Sequence, residues 1–210
     1  MEDVLEVYQR PRDERYPLVC LDEFCKQLVD EVRPPLPAKP GQPKRYDYEY
    51  VRHGCASAFV LHAPLEGRRE VYLGAEARRT TQDYARALEF IAMKMFPKAE
   101  KIILIEDNLN THDDASLYAT FSPAKARRLA ARFERHHTPK HGSWLNIAES
   151  EISALVRTGL PERIASQKEF RDKLRAVVRR RNKVQVATNW QFTTKDARTK
   201  LKKLYPSILR

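Results

Sequence analysis

The chain has 210 residues, 42% of them hydrophobic, and a formal net charge of +11 at pH 7. This length suits one domain with a sizeable core. The chain has no apolar run near the roughly 18 residues of a membrane span and no signal-peptide pattern at Met1, which excludes a membrane protein and predicts a cytoplasmic one. Residues 155–210 hold 16 Lys and Arg against 4 Asp and Glu, whereas residues 1–154 hold 23 against 24.

The first half of the chain predicts an antiparallel meander. Residues 16–22 form an apolar run typical of a central strand, and residues 1–15 are interpreted as a lead-in. Five prolines between 33 and 43 exclude a helix and favour an extended arm. Strands are expected at 50–62 and 70–73, joined by a turn.

A crossover to a parallel strand is expected next. Thr80 or Thr81 can cap a helix that Pro97 ends, and residues 101–106 form another buried strand. A strand, a helix and a strand in this order imply a right-handed crossover. The strand ends at Asp22 and Asp107 are therefore expected side by side.

The second half is expected to be mainly helical. Its predicted elements are short helices after Ser116 and Ser122, an edge strand at 133–137, a helix starting at Trp144 with Ser143 as its cap, and helices at 166–183 and 193–204. The sequence thus predicts an α/β fold with a mixed five-stranded sheet flanked by helices.

Cysteine and histidine usage argues against two further kinds of site. Cys20, Cys25 and Cys55 form no Cys-x-x-Cys pair, so neither a disulfide framework nor structural zinc is indicated, and we expect buried thiols. The six histidines lack tight ligand spacing.

Three acidic residues are the main candidates for chemistry. Asp22 and Asp107 close apolar strand-like runs, where a carboxylate is costly to desolvate without a cation or hydrogen bonds. Glu149 follows the apolar periodicity of its helix, so we expect it to face the sheet, with Glu151 pointing away. Each acid also has a plain structural interpretation, as a turn cap or as the partner of a buried arginine.

Together the three acids indicate a site for divalent cations. Converging carboxylates repel each other unless a cation neutralises them, and Mg²⁺ or Mn²⁺ prefers such oxygen ligands. Two such ions can activate a water or hydroxyl and stabilise a departing oxyanion at a phosphodiester. With a basic C-terminal region that favours a polyanionic partner, the predicted chemistry is phosphoryl transfer on nucleic acid.

Longer motifs support a resemblance to a known family. The segments Val19-Cys-Leu-Asp-Glu23, Leu104-Ile-Glu-Asp-Asn-Leu-Asn-Thr-His112, Thr138-Pro-Lys-His-Gly-Ser-Trp-Leu-Asn-Ile-Ala-Glu149 and Asn189-Trp-Gln-Phe-Thr-Thr194 resemble the catalytic domain of mariner-like bacterial insertion-sequence transposases, which are DDE superfamily endonucleases. The resemblance runs from about residue 16 to the end of the chain.

The resemblance implies a ribonuclease H-like catalytic domain over 16–210. Asp22, Asp107 and Glu149 would be its catalytic trio and would hold two Mg²⁺ or Mn²⁺ ions. Water would first cut double-stranded DNA at the transposon ends, and the freed 3′ hydroxyl would attack target DNA, typically at TA. The arm at 33–50 resembles the family's clamp, which contacts a partner subunit or DNA.

The resemblance also leaves alternatives open. Such transposases begin with helix-turn-helix domains that recognise the transposon ends, and this chain opens almost directly at the first catalytic strand. A fragment, a transposase split between two reading frames or a decayed copy is therefore expected, acting as a homodimer or with a separate helix-turn-helix subunit in the bacterial nucleoid. A catalytically idle DNA-binding or assembly module, or inhibitor, and a ribonuclease H-type nuclease are the competing interpretations.

Further residues are predicted to support the site or contact DNA. The supporting candidates are Glu23, Asn108, His112 and His141, of which Asn108 and His112 have an Asx turn and a surface histidine as alternatives. The phosphate-contact candidates are Lys44, Arg45, Lys140, Arg179, Arg180, Arg181, Lys183, Lys195, Lys202 and Lys203, although only part of the 179–183 run can share one helix face. Trp144 and Trp190 are expected to pack rather than to stack on bases.

Overall fold

The computed structural model describes residues 1–74, 78–108 and 113–205. Within them the strands are β1 (Leu18–Glu31), β2 (Tyr50–Ala63), β3 (Arg68–Tyr72), β4 (Ile102–Glu106) and β5 (Phe133–His137). The α-helices are α1 (Glu2–Tyr8), α2 (Thr81–Phe90, continued by a π-helical turn Ile91–Met95), α3 (Ala115–Thr120), α4 (Pro123–Ala130), α5 (Ile147–Gly159), α6 (Gln167–Val184) and α7 (Thr194–Lys200). Short 3₁₀ turns lie at Ser143–Leu145 and Lys202–Leu204.

The strands form one mixed sheet in the order β3-β2-β1-β4-β5. β1, β2 and β3 pair antiparallel, β4 runs parallel to β1, and β5 runs parallel to β4. The predicted meander, the parallel return through a helix and the edge strand are confirmed. The α/β fold class with a five-stranded mixed sheet is therefore confirmed as well.

Both faces of the sheet are covered by helices. Val19 and Leu21 of β1 pack with residues of α2, α3 and α4 on one face. Leu18 and Cys20, one residue out of phase, pack with α1 and α5 on the other face. Every residue of β4 is buried, as expected for a parallel strand enclosed on both sides. Among the described residues, no helix is long and apolar enough to cross a membrane.

The sequence-based boundaries are wrong at two places near the N terminus. β1 runs to Glu31, so Asp22 lies inside a strand rather than at its end. The added half pairs with β2 in a two-stranded ribbon. Its buried residues Phe24 and Leu28 are separated by mainly polar ones, so it has no continuous apolar run to recognise. The helix α1 was not expected. Its Val4 and Leu5 are fully buried, so this part of the 1–15 lead-in belongs to the core.

Three smaller expectations also need correction. Ser143 begins a 3₁₀ turn instead of capping a helix, and Asn146 is the cap of α5. The helix expected after Ser116 already begins at Ala115. Cys20 is a buried thiol as expected, but Cys25 and Cys55 are exposed, because both lie on the outer part of the β1–β2 ribbon.

Candidate active site

The sheet register brings Asp22 and Asp107 to equivalent positions on adjacent strands. The parallel pairing of β1 with β4 ends at Cys20 and Ile105. Asp22 and Asp107 each lie two residues further on, so both side chains project from the face that α5 covers. The expected juxtaposition therefore arises even though β1 itself continues.

Asp22 is the most electrostatically constrained of the three acids. Its Oδ1 accepts a hydrogen bond from the Glu23 backbone N–H at 2.7 Å. Burial raises the pKa of the Asp22 carboxyl to about 7, and the charges of Asp107, Glu149 and Glu23 also raise it, against the effect of that hydrogen bond. The three predicted acids therefore share one electrostatic environment.

Asp107 lies beside a cavity at the end of β4. The cavity has a volume of about 480 Å³ and is lined by Asp107, Asn108, Thr138, Pro139, Lys140, His141 and Ser143. Thr138 donates its hydroxyl hydrogen to Asp107 Oδ1 at 2.8 Å. Three other predicted residues, Asn108, Lys140 and His141, thus lie around the same cavity as Asp107, and each carries a group that can donate a hydrogen bond to phosphate.

Glu149 is brought to the sheet by a cap that also binds β1. The Asn146 side chain accepts from Ala148 N at 3.2 Å and donates to the Leu21 carbonyl at 2.8 Å. Asn146 is fully buried, and Tyr8 of α1 also donates its hydroxyl to Leu145 O at 2.7 Å. The first turn of α5, which contains Glu149, is therefore held next to the residue preceding Asp22.

The expectation for Glu151 is wrong. Glu151 does not point away from the sheet. It is only 6% exposed, and its carboxylate takes two hydrogen bonds from Arg181, at 2.7 and 3.0 Å. Arg69 Nε lies 3.1 Å from Glu151 Oε1, an ion-pair distance without hydrogen-bond alignment. Glu149, by contrast, is half-buried.

Glu151 is buried because of the way in which α5 is rotated about its axis. Since α5 starts after Asn146, its buried positions include Ala148, Glu151 and Leu155, while Ile152 and Val156 are only partly buried. Glu149 lies at the border of this buried stripe, where it is close enough to raise the pKa of Asp22.

The acids fit divalent cations by their chemistry. All three candidates offer hard oxygen ligands, and the repulsion at Asp22 is what a cation would relieve. In the described ranges, no group of three His, Cys, Asp or Glu side chains converges closely enough to hold one ion. The three carboxylates are close enough to affect the pKa of Asp22, but they would have to move closer together to bind one ion.

The remaining predicted site residues have varied surroundings. His112 lies outside the described residues. Glu23 is half-buried, Asn108 is exposed, and His141 has a left-handed backbone with φ of 63°. Arg181 binds Glu151, and the Arg180 guanidinium donates to Thr158 O. The other predicted phosphate-contact residues are exposed: Lys44, Arg45, Lys140, Arg179, Lys183, Lys195, Lys202 and Lys203.

The two tryptophans differ in how far they are buried. Trp190 is half-buried and packs on Tyr8 with ring centroids 4.8 Å apart, as expected of a packing residue. Trp144 is 42% exposed, although its ring meets Phe192 edge-on at 5.7 Å.

Sequence reasoning did not identify Thr138, Asn146 or the buried network beneath Asp107. In that network Glu106, fully buried, accepts from Tyr84 Oη at 2.6 Å and from Arg135 at 2.9 Å. Arg135 also binds Asp114 at 2.9 Å. An Asn three residues before Glu149 is a recognisable cap signal, but the other partners are distant in sequence.

Fold and site together define a class. A meander followed by two parallel strands, in a five-stranded mixed sheet flanked by helices, is the ribonuclease H-like fold. The chain belongs to the DDE superfamily endonucleases, because the model of that family matches residues 17–171. No curated protein matches the chain.

Solved structures of the Mos1 mariner transposase share this fold. The paired-end complex with Mn is 17% identical, with a TM-score of 0.50, over 87% of this chain and 56% of that one. The Mos1 strand transfer complex is 15% identical, with a TM-score of 0.51, over 90% and 60%. The paired-end complex with Mg is 16% identical, with a TM-score of 0.51, over 90% and 62%. The chain thus spans about three fifths of those proteins.

Proposed function

We propose that this chain is the catalytic domain of a DNA transposase that performs two-metal phosphoryl transfer. It would cut DNA hydrolytically at transposon ends and then join the 3′ hydroxyl to target DNA, with TA as the preferred target. The observation that carries the proposal is the shared electrostatic environment of Asp22, Asp107 and Glu149 in a member of the DDE family.

The residues of the candidate site would have different roles in this reaction. Asp22, Asp107 and Glu149 would hold two Mg²⁺ or Mn²⁺ ions. When bound, these ions supply activation of the attacking water or hydroxyl and stabilisation of the departing oxyanion. The Glu23 N–H and the Thr138 hydroxyl orient two of the carboxylates. Lys140 and His141, which line the cavity beside Asp107, would bind the phosphate.

The metal assignment is supported by two kinds of observation. The donor set consists of carboxylate oxygens, and the fold is shared with Mos1 complexes that contain Mn or Mg.

Double-stranded DNA is the proposed substrate. The cations exposed on α6 and near the C terminus, together with Lys140, would contact phosphates at the transposon end and target. We propose the nucleoid in the bacterial cytoplasm as its location, in keeping with a DNA substrate and the resemblance to bacterial insertion-sequence transposases. The Mos1 structures are paired-end and strand-transfer complexes, which makes a homodimer, or pairing with a separate helix-turn-helix subunit, the proposed working assembly.

The arm at 33–50 would serve as the clamp of this assembly. Arg163 holds its end in place by donating to the Asp47 carbonyl at 2.7 Å and by pairing with Glu31. Tyr48 is 86% exposed and Tyr46 is 54% exposed, with Lys44 Nζ 4.6 Å from the Tyr46 ring centroid. Aromatic and basic groups side by side suit contact with DNA or a partner subunit.

The test is metal-dependent cleavage and joining of DNA. We expect the wild type to nick duplex DNA or to join a pre-cut transposon end to a target in Mg²⁺ or Mn²⁺, and chelation to stop both reactions. Asp22→Asn, Asp107→Asn and Glu149→Gln should each lower the rate at least 100-fold, since each removes a ligand from the reacting centre. Asp30→Asn, an exposed acid of the same strand, is the matched control.

Other outcomes would assign the chain to its competing functions. Full activity in all three acid variants would refute the proposal. DNA binding that ignores both chelator and the acids, without cleavage, would indicate an idle assembly module. Preferential cutting of RNA–DNA hybrids would indicate a ribonuclease H-type nuclease.

A further inference from the structure

Thr138 is placed beside Asp107 by the ends of two parallel strands. β4 and β5 pair in register up to Glu106 and His137, so Asp107 and Thr138 are the next residues on each strand. The Thr138 backbone N–H donates to the Glu106 carbonyl at 3.0 Å, which continues the pairing by one step. Thr138 is 4% exposed, and its hydroxyl donates to Asp107 Oδ1 at 2.8 Å.

The same strand ends are fixed on the opposite face of the sheet. Glu106 projects away from Asp107, since successive residues alternate, and binds Tyr84 and Arg135. Arg135 belongs to β5 and donates also to the Tyr84 hydroxyl at 2.7 Å. A buried ionic network on one face and a hydroxyl bond on the other therefore hold β4 and β5 together at the residue that bears the acid.

We propose that Thr138 is a positioning residue that fixes the Asp107 carboxylate for binding a divalent cation. A hydroxyl bond to one oxygen limits rotation of the carboxylate and directs the other oxygen away from Thr138. Groups that hydrogen-bond a metal ligand in this way orient it and tune its affinity. This inference rests on the proposed function, because it takes Asp107 to be a ligand.

The choice of residue follows from the geometry. Thr138 is a neutral side chain that donates to Asp107, and it lines the same cavity. A neutral donor orients a carboxylate without neutralising it, whereas an arginine or lysine at this position would compete with the cation for the negative charge.

The test compares Thr138→Val with Thr138→Ser. Valine keeps the shape and removes the hydroxyl, while serine keeps the hydroxyl. We expect Thr138→Val to weaken Mn²⁺ binding, measured by calorimetry, by about tenfold or more, and to raise by a similar factor the Mn²⁺ concentration for half-maximal cleavage. Thr138→Ser should stay within about threefold of the wild type. DNA affinity should be unchanged in both.

Two controls separate positioning from folding. Thr120→Val removes a hydroxyl that donates within α3, to Ser116 O at 2.8 Å, and should leave Mn²⁺ binding unchanged. Thermal melting of each variant shows that it is folded. Rescue by serine is the readout that a purely structural role for the threonine methyl group would not produce.

The outcomes distinguish this inference from the proposed function. Equal Mn²⁺ affinity in wild type and Thr138→Val, or a Thr138→Ser variant as impaired as Thr138→Val, would overturn the positioning role. Thr138-dependent Mn²⁺ binding without any DNA cleavage would support the positioning role and refute the catalytic function. A wild type that binds no Mn²⁺ would overturn both.

Discussion

Two side chains near the centre of the sheet have pKa values far from those of the same groups in water. Burial and neighbouring carboxylates raise the pKa of Asp22 to about 7. Burial lowers the pKa of His62 to about 4, against the effect of Glu151 and with that of Arg69. His62 is 1% exposed, and within the described structure its Nδ1 has no hydrogen-bond partner. The Asp22 carboxyl suits a cation site, whereas burial of His62 lowers the stability of the fold at low pH.

The shift of His62 predicts a loss of stability in mild acid. Its folded-state pKa lies below the ordinary value of 6.5, so between about pH 6.5 and pH 4 the unfolded chain binds more protons. Stability from this group is present above pH 6.5 and is lost as the pH falls toward 4. We expect it to cost about 2 kcal/mol of unfolding free energy between pH 7.5 and pH 5.

Urea denaturation at a series of pH values measures this effect. The raised pKa of Asp22 acts in the opposite direction over this range, because the folded chain there binds more protons at Asp22. Relative to the wild type, His62→Gln should therefore gain stability as the pH falls from 6.5 to 4, because glutamine does not titrate. His53→Gln, the same substitution at an exposed histidine, supplies the control. A His62→Gln profile as steep as that of the wild type would contradict the assignment.

At the scale of elements, α5 connects the candidate site to the core. Its cap residue Asn146 binds β1, its first turn contains Glu149, and one half-turn later Glu151 binds Arg69 and Arg181. Apolar periodicity alone placed Glu151 on the outside. The helix start at Asn146 and the two arginines, which come from β3 and α6, decide otherwise. A local pattern could not reveal partners that are 82 and 30 residues away.

The ion pairs of Glu151 predict that a conservative substitution at this position strongly lowers the free energy of unfolding. Glu151→Gln should lower the free energy of unfolding by about 3 kcal/mol, because it leaves Arg69, only 3% exposed, without a compensating charge. Equilibrium urea unfolding would measure it. Glu162→Gln, an exposed position shortly after α5, should change stability by less than about 0.5 kcal/mol. Equal effects of the two substitutions would contradict the role of these ion pairs.

At the scale of the whole molecule, the sheet was largely predictable from the sequence. Apolar runs marked the inner strands, and the strand-helix-strand order implied a crossover that lays β4 parallel to an earlier strand. The β1–β2 ribbon beyond Asp22 was not predictable in this way, because its apolar residues do not form a continuous run. Phe24 and Leu28 pack in a core with α5 and α6, while the residues between them are mainly polar. The seven-residue α1 was also missed, since a helix this short depends on its packing in the core.

Some residues of the candidate site could be predicted from the sequence, and others could not. The three acids and the cavity residues Asn108, Lys140 and His141 stood out by motif. Thr138 and Asn146 act through hydrogen bonds to residues far away in the chain, so their roles became visible only in three dimensions.

The most direct test of a shared cation site is Mn²⁺-dependent thermal stability. Wild-type protein should melt roughly 5 to 10 °C higher in Mn²⁺ at a hundredfold excess over its Kd, and Asp30→Asn should behave the same way. Asp22→Asn, Asp107→Asn and Glu149→Gln should each lose most of this shift. Asp22→Asn should also melt at or above the wild-type temperature without metal, because it removes a desolvated carboxylate repelled by its neighbours. Equal Mn²⁺ shifts in the wild type and all three acid variants would contradict the site.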